Sequence, residues 1–425
     1  MLGSALPLVT ALPFVALLLV IALAPLAVPT WWHHNRNKAL VALVISAPIL
    51  VYLGINAPEL LREKFHEYVS FIVVIGALFV ITGGIHIEGS LAGTPLINTG
   101  VLGLGALLAN LLGTTGASVL LIRPLLRANK RRKRVAHIVI FFIFIVANCG
   151  GLLTPIGDPP LLLGFLKGVP FDWTLRLWPQ WLLINGILLV IFNVWDQWAL
   201  NRDEIELPGS QHEQVLIHEP LRVTGGLEML VLLGIIATIL LAGSSLIILG
   251  LAVLGYFAGS QDRRAKNVFT FAPIVEVAVL FAAIFATMAP VLEMLNAWAQ
   301  RPDFELTKPA HFFWASGALS SVLDNAPTYL AFAASAAGLQ GVAPHGAYIG
   351  TMVVNPEAAK LLAAISTGAV FFGANTYIGN APNFMVKAIA EENGVKMPSF
   401  FGYMAYSLGI LVPLFIAISL IFFRT

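Results

Sequence analysis

Charge is what this chain has least of. Lys, Arg, Asp and Glu make up 11% of its 425 residues, against roughly 25% in a soluble domain. With 58% hydrophobic residues and a mean hydropathy of +0.86, a water-soluble fold is excluded. The chain reads as an integral membrane protein. Cysteine is the next scarcity. Cys149 alone excludes an intrachain disulfide and any cysteine cluster for metal, and its apolar surroundings read as those of a small buried side chain. No basic flank precedes the first apolar run, Ala5 to Pro29, which is also too long for a signal peptide and is expected to be a retained span. Gly103-Leu104-Gly105 lacks the βαβ context of a dinucleotide fingerprint. His33 and His34 adjoin Trp31 and Trp32 in an interfacial belt rather than a metal site.

Glycine and proline are abundant instead, 37 and 25 of them. Their placement is informative. Gly151-Leu-Leu-Thr154-Pro-Ile-Gly157-Asp158-Pro-Pro160 and Gly373-Ala-Asn-Thr376-Tyr-Ile-Gly379-Asn380-Ala-Pro382 share Gly, Thr, Ile, Gly, Asp/Asn and Pro at one offset, 376 − 154 = 222. Such density breaks a helix and strips backbone groups of partners, which lipid cannot replace. Two breaks in corresponding halves point to the binding site of a secondary transporter.

Apolar runs predict spans near residues 5–29, 38–57, 68–85, 135–168, 175–199, 226–243, 245–259, 272–295, 357–390 and 399–423. Two more, 101–126 and 309–340, carry polar tips: Gly113-Thr114-Thr115-Gly116-Ala117-Ser118 and Leu323-Asp324-Asn325-Ala326-Pro327-Thr328. Both read as re-entrant hairpins sheltered by protein. The expected fold is an all-α polytopic membrane protein of about ten full spans and two hairpins.

Loop charge gives the sides. One set of loops holds Arg36, Lys38, the dense run from Arg127 to Arg134, Arg202, Arg222, Arg263, Arg264, Lys266 and Lys396. The other holds Arg62, Lys64, Lys167, Arg176, Arg301, Lys308 and Arg424. The first is expected to be cytoplasmic, with both termini on the opposite side of a plasma (inner) membrane. The basic run fixes topology and meets anionic lipid rather than nucleic acid. Each half then offers three spans, a hairpin, a broken span and a final span. Five crossings is an odd number, so the second repeat is inverted. The expected division is 1–200, a polar cytoplasmic linker 201–224, and 225–425.

Asn148-Cys149-Gly150-Gly151 running into Thr154-Pro155-Ile156-Gly157-Asp158-Pro159-Pro160 resembles the broken helix of the ion transporter superfamily. That group includes citrate-transporter-like proteins, NhaD-type sodium/proton antiporters, the melanosomal P protein and arsenite pumps. Leu323-Asp324-Asn325-Ala326-Pro327 resembles the second tip of the antiporter and P-protein branches. The resemblance covers nearly the whole chain by order and topology, with specificity confined to the motif segments. It implies a homodimer whose protomers divide into a scaffold and a mobile transport domain. Dicarboxylate carriers have tips resembling Ser-Asn-Thr. Here the first tip has Thr114-Thr115 and the second Asp324-Asn325, a departure that bears on the substrate.

Asp158 and Asp324 are the two carboxylates expected at membrane depth within motifs. An ionised Asp there costs about 2.5–3.5 kcal/mol on insertion scales and marks an ion path; capping a half-helix is the structural alternative. Sodium favours oxygen ligands. Thr114, Thr115, Asn148, Thr154 and Asp158 supply them in the first half, and Asp324, Asn325, Thr328, Asn375, Thr376, Asn380 and Asn383 in the second. Taken singly, each Thr or Asn reads equally as a helix-to-helix hydrogen bond. Glu276 reads equally as proton relay or interfacial residue. The leading expectation is sodium/proton antiport by alternating access, with protons and sodium competing for the acids. No organic cofactor is expected. Sodium- or proton-coupled uptake of citrate or a related carboxylate is the alternative; its anion would rest on half-helix N-termini, since Arg123 and Lys387 lie outside tips and breaks. An intramembrane aspartyl protease is the remote third.

Overall fold

The computed structural model describes residues 6–206, 219–241 and 243–424. Among them, nine helical segments are long and apolar enough to cross a membrane, so the chain is an all-α polytopic membrane protein. The first three spans are α1 (Leu12–Ala27), α2 (Asn35–Asn56) and α3 (Pro58–Thr82). Helix α3 begins well before residue 68, because Glu63, Lys64 and Glu67 neutralise one another in its first turns. Charges that argue against a span in sequence are paired in space.

Helix α4 (Pro95–Ala128) holds the first tip. Its path turns at Gly113, at φ 74°, ψ 158°, a conformation open only to glycine. The arms come back to the same end: Asn98 and Asn129 exchange reciprocal amide hydrogen bonds of 3.0 and 2.9 Å. The first broken span comprises α5 (Ala136–Ile145), a 3₁₀ segment Cys149–Leu153 and α6 (Pro159–Leu166). Helix α7 (Trp178–Glu206) ends the half.

The second half runs α8 (Gly226–Leu240), α9 (Ser245–Ala258), the short α10 (Gln261–Lys266) and α11 (Ala272–Ala299). Its hairpin is α12 (Pro309–Ser320) and α13 (Asn325–Leu339). Arms of 12 and 15 residues rise only about 18 and 23 Å, short of a hydrocarbon core of about 30 Å. A single turn α14 (Tyr348–Met352) leads to the second broken span, α15 (Pro356–Phe372), a 3₁₀ turn Gly373–Asn375 and α16 (Ala381–Glu392). Helix α17 (Phe400–Phe422) is last. Proline stands in the first turn of α3, α4, α6, α12, α15 and α16, where its missing N–H costs nothing.

The polar stretch 201–224 is more ordered than a linker requires. Residues 201–206 continue α7, and β2 (Glu219–Thr224) pairs antiparallel with β1 (His86–Ser90), in the register His86–Thr224, Ile87–Val223 and Glu88–Arg222. Residues 207–218 lie outside the described residues. Too short for a visible alternation, the ribbon was silent in sequence.

The helices sort into two packed sets. Helices α2 and α3 pack on α11, and α3 also on α9, with Phe71 stacked on Phe281 at 4.8 Å. Hairpins, broken spans, α7 and α17 form the second set, joined to the first where α4 and α6 meet α3 and, most extensively, where α13 packs along α11. Within the second set, Arg132 pairs with Asp196 at 2.5 Å with both side chains fully buried. His137 and Asn98 also reach that carboxylate, at 2.8 Å each. Breaking a buried pair strands a charge at about 3–5 kcal/mol. Arg132→Met is therefore expected to lower the melting temperature in detergent far more than the neutral pair Arg132→Met/Asp196→Asn. Equal losses would remove the stranded-charge account.

Candidate functional site

Two helix breaks leave backbone groups that hydrocarbon cannot serve, and nearby polar side chains serve them. At the first break, Asn110 on α4 donates to Gly150 O at 2.7 Å and accepts from Leu153 N at 2.8 Å. Thr154 Oγ1 donates to Asn110 O at 2.5 Å. At the second, Thr376 Oγ1 donates to Ser321 O at 2.6 Å, and Asn375 Nδ2 to Ser321 Oγ at 2.8 Å. Asn110 and Ser321 were not singled out in the sequence; lone polar residues in apolar arms were the only signal. The final spans contribute too. Trp181 Nε1 donates to Gly150 O and Asn185 Nδ2 to Cys149 O, at 2.8 and 3.3 Å. Tyr403 donates to Ala374 O and Ser407 to Asn375 O, at 2.7 and 2.6 Å. The donors keep the offset of the motifs, since 403 − 181 and 407 − 185 both equal 222, while the carbonyls they serve are shifted by two and four residues.

The breaks meet at Asp158, which is 1% exposed. Its Oδ1 accepts from Thr114 Oγ1 at 2.9 Å and from Asn380 Nδ2 at 3.1 Å; its Oδ2 accepts from Asn325 Nδ2 at 2.6 Å. Both tips and both breaks therefore converge on one carboxylate, and Asp158 touches its own repeat mate, Asn380. All three donors are neutral. Around them Asn148 Nδ2 donates to Asn383 Oδ1 at 2.7 Å. Asn380 Nδ2 also reaches Asn148 Oδ1 at 3.2 Å. Asn383 Nδ2 holds Gly373 O and Thr376 O at 2.8 and 2.9 Å. Among the buried side-chain atoms without a hydrogen-bond partner are the amide oxygens Asn325 Oδ1, Asn375 Oδ1 and Asn185 Oδ1, and the first-tip hydroxyl Ser118 Oγ. Such an acceptor costs about 1–3 kcal/mol, unless a ligand meets it.

Thr114, Asn148, Asp158, Asn325, Asn380 and Asn383 thus form one cluster. Thr115 lies beside it, half-buried. Thr154, Asn375 and Thr376 bind the tips to the breaks. Thr328 Oγ1 is engaged by Asp324 O at 2.9 Å within its own helix. Asp324 is half-buried and caps α13, accepting from Ala326 N at 3.0 Å. Glu276 stands apart, on α11, paired with Lys38 of α2 at 2.6 Å.

An anion-binding arrangement would present spare N–H donors; the unpartnered amide atom beside Asp158, on Asn325, is an oxygen. Oxygen acceptors around a carboxylate suit a hard cation or a proton. No curated protein matches the chain. A family model described as "Putative citrate transport" matches residues 3–423. With nearly its whole length matched, the chain belongs to this citrate-transport family of membrane transporters.

Proposed function

We propose that the protein exchanges sodium for protons, with Asp158 as the group for which the two ions compete. One observation carries this reading: a buried carboxylate held by three neutral donors and flanked by the unpartnered Asn325 Oδ1. Sodium would be held by Asp158 and Asn325, with Asp324 supplying the second negative charge at the mouth of the same tip. Proton binding would neutralise the carboxylate and release the cation, which couples the flows. Intramembrane acids serve such relays in pumps and transporters. Alternating access follows by an elevator-like movement of the hairpins and broken spans as one unit, because every group on Asp158 belongs to that set. The remaining spans are the scaffold of a homodimer in lipid.

Cation-coupled citrate uptake is the second reading, favoured by the family description. Counting against it, every hydrogen bond to Asp158 comes from Thr or Asn rather than from Lys or Arg. Peptide hydrolysis is disfavoured because those same neutral donors occupy the place of a partner acid. Proteoliposomes separate the first two. Sodium-driven pH change without labelled-citrate uptake is expected; citrate uptake with no sodium-dependent proton movement would overturn antiport.

The role of Asp324 has its own test. Asn caps a helix as well as Asp does, so Asp324→Asn keeps the cap and removes only the charge. We expect exchange to stop while melting temperature and dimer content stay unchanged. Undiminished exchange would reduce Asp324 to a cap.

A further inference from the structure

The proposed site does not use a cluster of charged side chains that includes the buried Lys64 and Lys167. That group lies where the α2–α3 turn faces the end of α6 and the loop after α13. Lys64 and Lys167, with side chains 1% and 3% exposed, converge on Glu67; the Lys64 Nζ contact is 3.1 Å, and Lys167 makes a short hydrogen bond. Lys167 also lies over the Tyr348 ring at 5.3 Å. At the rim, Glu63 accepts from Gly346 N at 2.9 Å. His345 bridges Glu63 at 3.7 Å and Glu293 of α11 at 3.3 Å. Glu59, Arg62 and His66 line the outer part of an open pocket of about 630 Å³ beside them.

Lys64–Glu67 lies within α3 and Lys167–Tyr348 within the opposite set; the contacts of Lys167, His345 and Gly346 with Glu67, Glu63 and Glu293 cross one boundary. Glu63, Lys64, Glu67 and Glu293 belong to α3 and α11. Lys167, His345, Gly346 and Tyr348 belong to the set that carries the hairpins and breaks. We propose that this cluster is an electrostatic latch between scaffold and transport unit, made and broken once in each transport cycle. The proposal rests on the moving unit of the reading above. Movement must part Lys167 from Glu67, and each then needs water in place of its partner, as an opening cleft supplies. Among the described residues, the equivalent position at the other end of the boundary carries no charge. The repeat mate of Lys167 is Ile389 (389 − 167 = 222), a buried apolar residue. Two otherwise matched halves therefore differ in how tightly each end closes, and the latched state is the preferred one. Under the orientation expected from loop charge, that state is closed to the outside.

Glu63 and His345 are the partly exposed edge of the latch and lie away from Asp158, so they suit a crosslink. In a Cys149→Ala background, Glu63→Cys/His345→Cys would be joined by a short, reductant-cleavable thiol linker. Transport should fall to less than about one tenth and recover on cleavage, as when a required opening motion is blocked. Linked protein that transports at the cleaved rate would overturn the latch. A second measurement needs no substrate. In the neutral pair Glu67→Gln/Lys167→Met, an Ala299→Cys reporter at the buried end of α11 should label several-fold faster with a membrane-impermeant thiol reagent. Unchanged labelling would also overturn it. Failure of the transport reading shows separately, as undiminished exchange in Asp158→Asn with the labelling result intact.

Discussion

Asp158→Asn is expected to reduce exchange to the background of empty liposomes and to abolish thermal stabilisation by sodium. The carboxylate is an acceptor on every side: Thr114 and Asn380 donate to one oxygen and Asn325 to the other. An amide must turn its NH₂ toward one of these donors; Asn325 can meet it with its Oδ1 only by turning its own Nδ2 away, which then loses its acceptor. The cost is about 1–3 kcal/mol of stability for the unmet groups, which a fold of this size can survive. The functional loss is larger in consequence, because an amide neither carries charge nor exchanges a proton near neutral pH. A ligand bound only by the native state raises stability with its concentration, so the sodium-dependent melting shift reads binding independently of transport. An Asp158→Asn protein that keeps both the shift and the exchange would remove Asp158 from the mechanism.

Gly157→Ala should fail to accumulate as folded protein. A Cβ at this position would lie 2.2 Å from Gly151 O and 3.0 Å from Thr154 O. Both obstacles are backbone. The strand of chain cannot retreat, since Gly157 O accepts from Thr114 N at 2.8 Å and Gly157 N donates to Thr154 O at 3.0 Å. Relieving the clash therefore opens the first break and releases the first tip together. The effect belongs with the exceptional losses above about 4 kcal/mol. Gly54→Ala is the control, because a Cβ there meets nothing within 4 Å. Monodispersity in detergent and melting temperature measure both. A folded Gly157→Ala protein with near-native melting would mean that the break is far more pliable than its hydrogen bonds imply.

The class, the order of spans and tips and the position of both breaks were legible in the residues alone. Membrane burial forces long apolar runs, and Gly and Pro interrupt them by local sterics alone. Both causes act on neighbouring residues, so both are written in linear order. The same locality placed Asp158, Asp324 and their polar companions in the motifs. It could not say which companions meet. Asn325 and Asn380 reach Asp158 from 167 and 222 residues away, while Thr328 turns back onto its own helix. Side chains on equivalent motifs separate in this way because packing geometry, not spacing, selects one hydrogen-bond partner among several.

Tertiary structure alone decided the fate of the charges at the start of α3. In linear order, Glu63, Lys64 and Glu67 argue for a loop and against a span. In space Lys167 and His345, from distant elements, complete their pairing, with Lys64 buried and Glu63 at the partly exposed rim. It likewise decided that 219–224 is a strand, because a ribbon needs a partner, and β1 lies more than a hundred residues earlier in the chain. Burial of apolar length is a property of a segment, which sequence records; neutralisation of a charge and pairing of a strand are properties of two segments, which only the fold brings together.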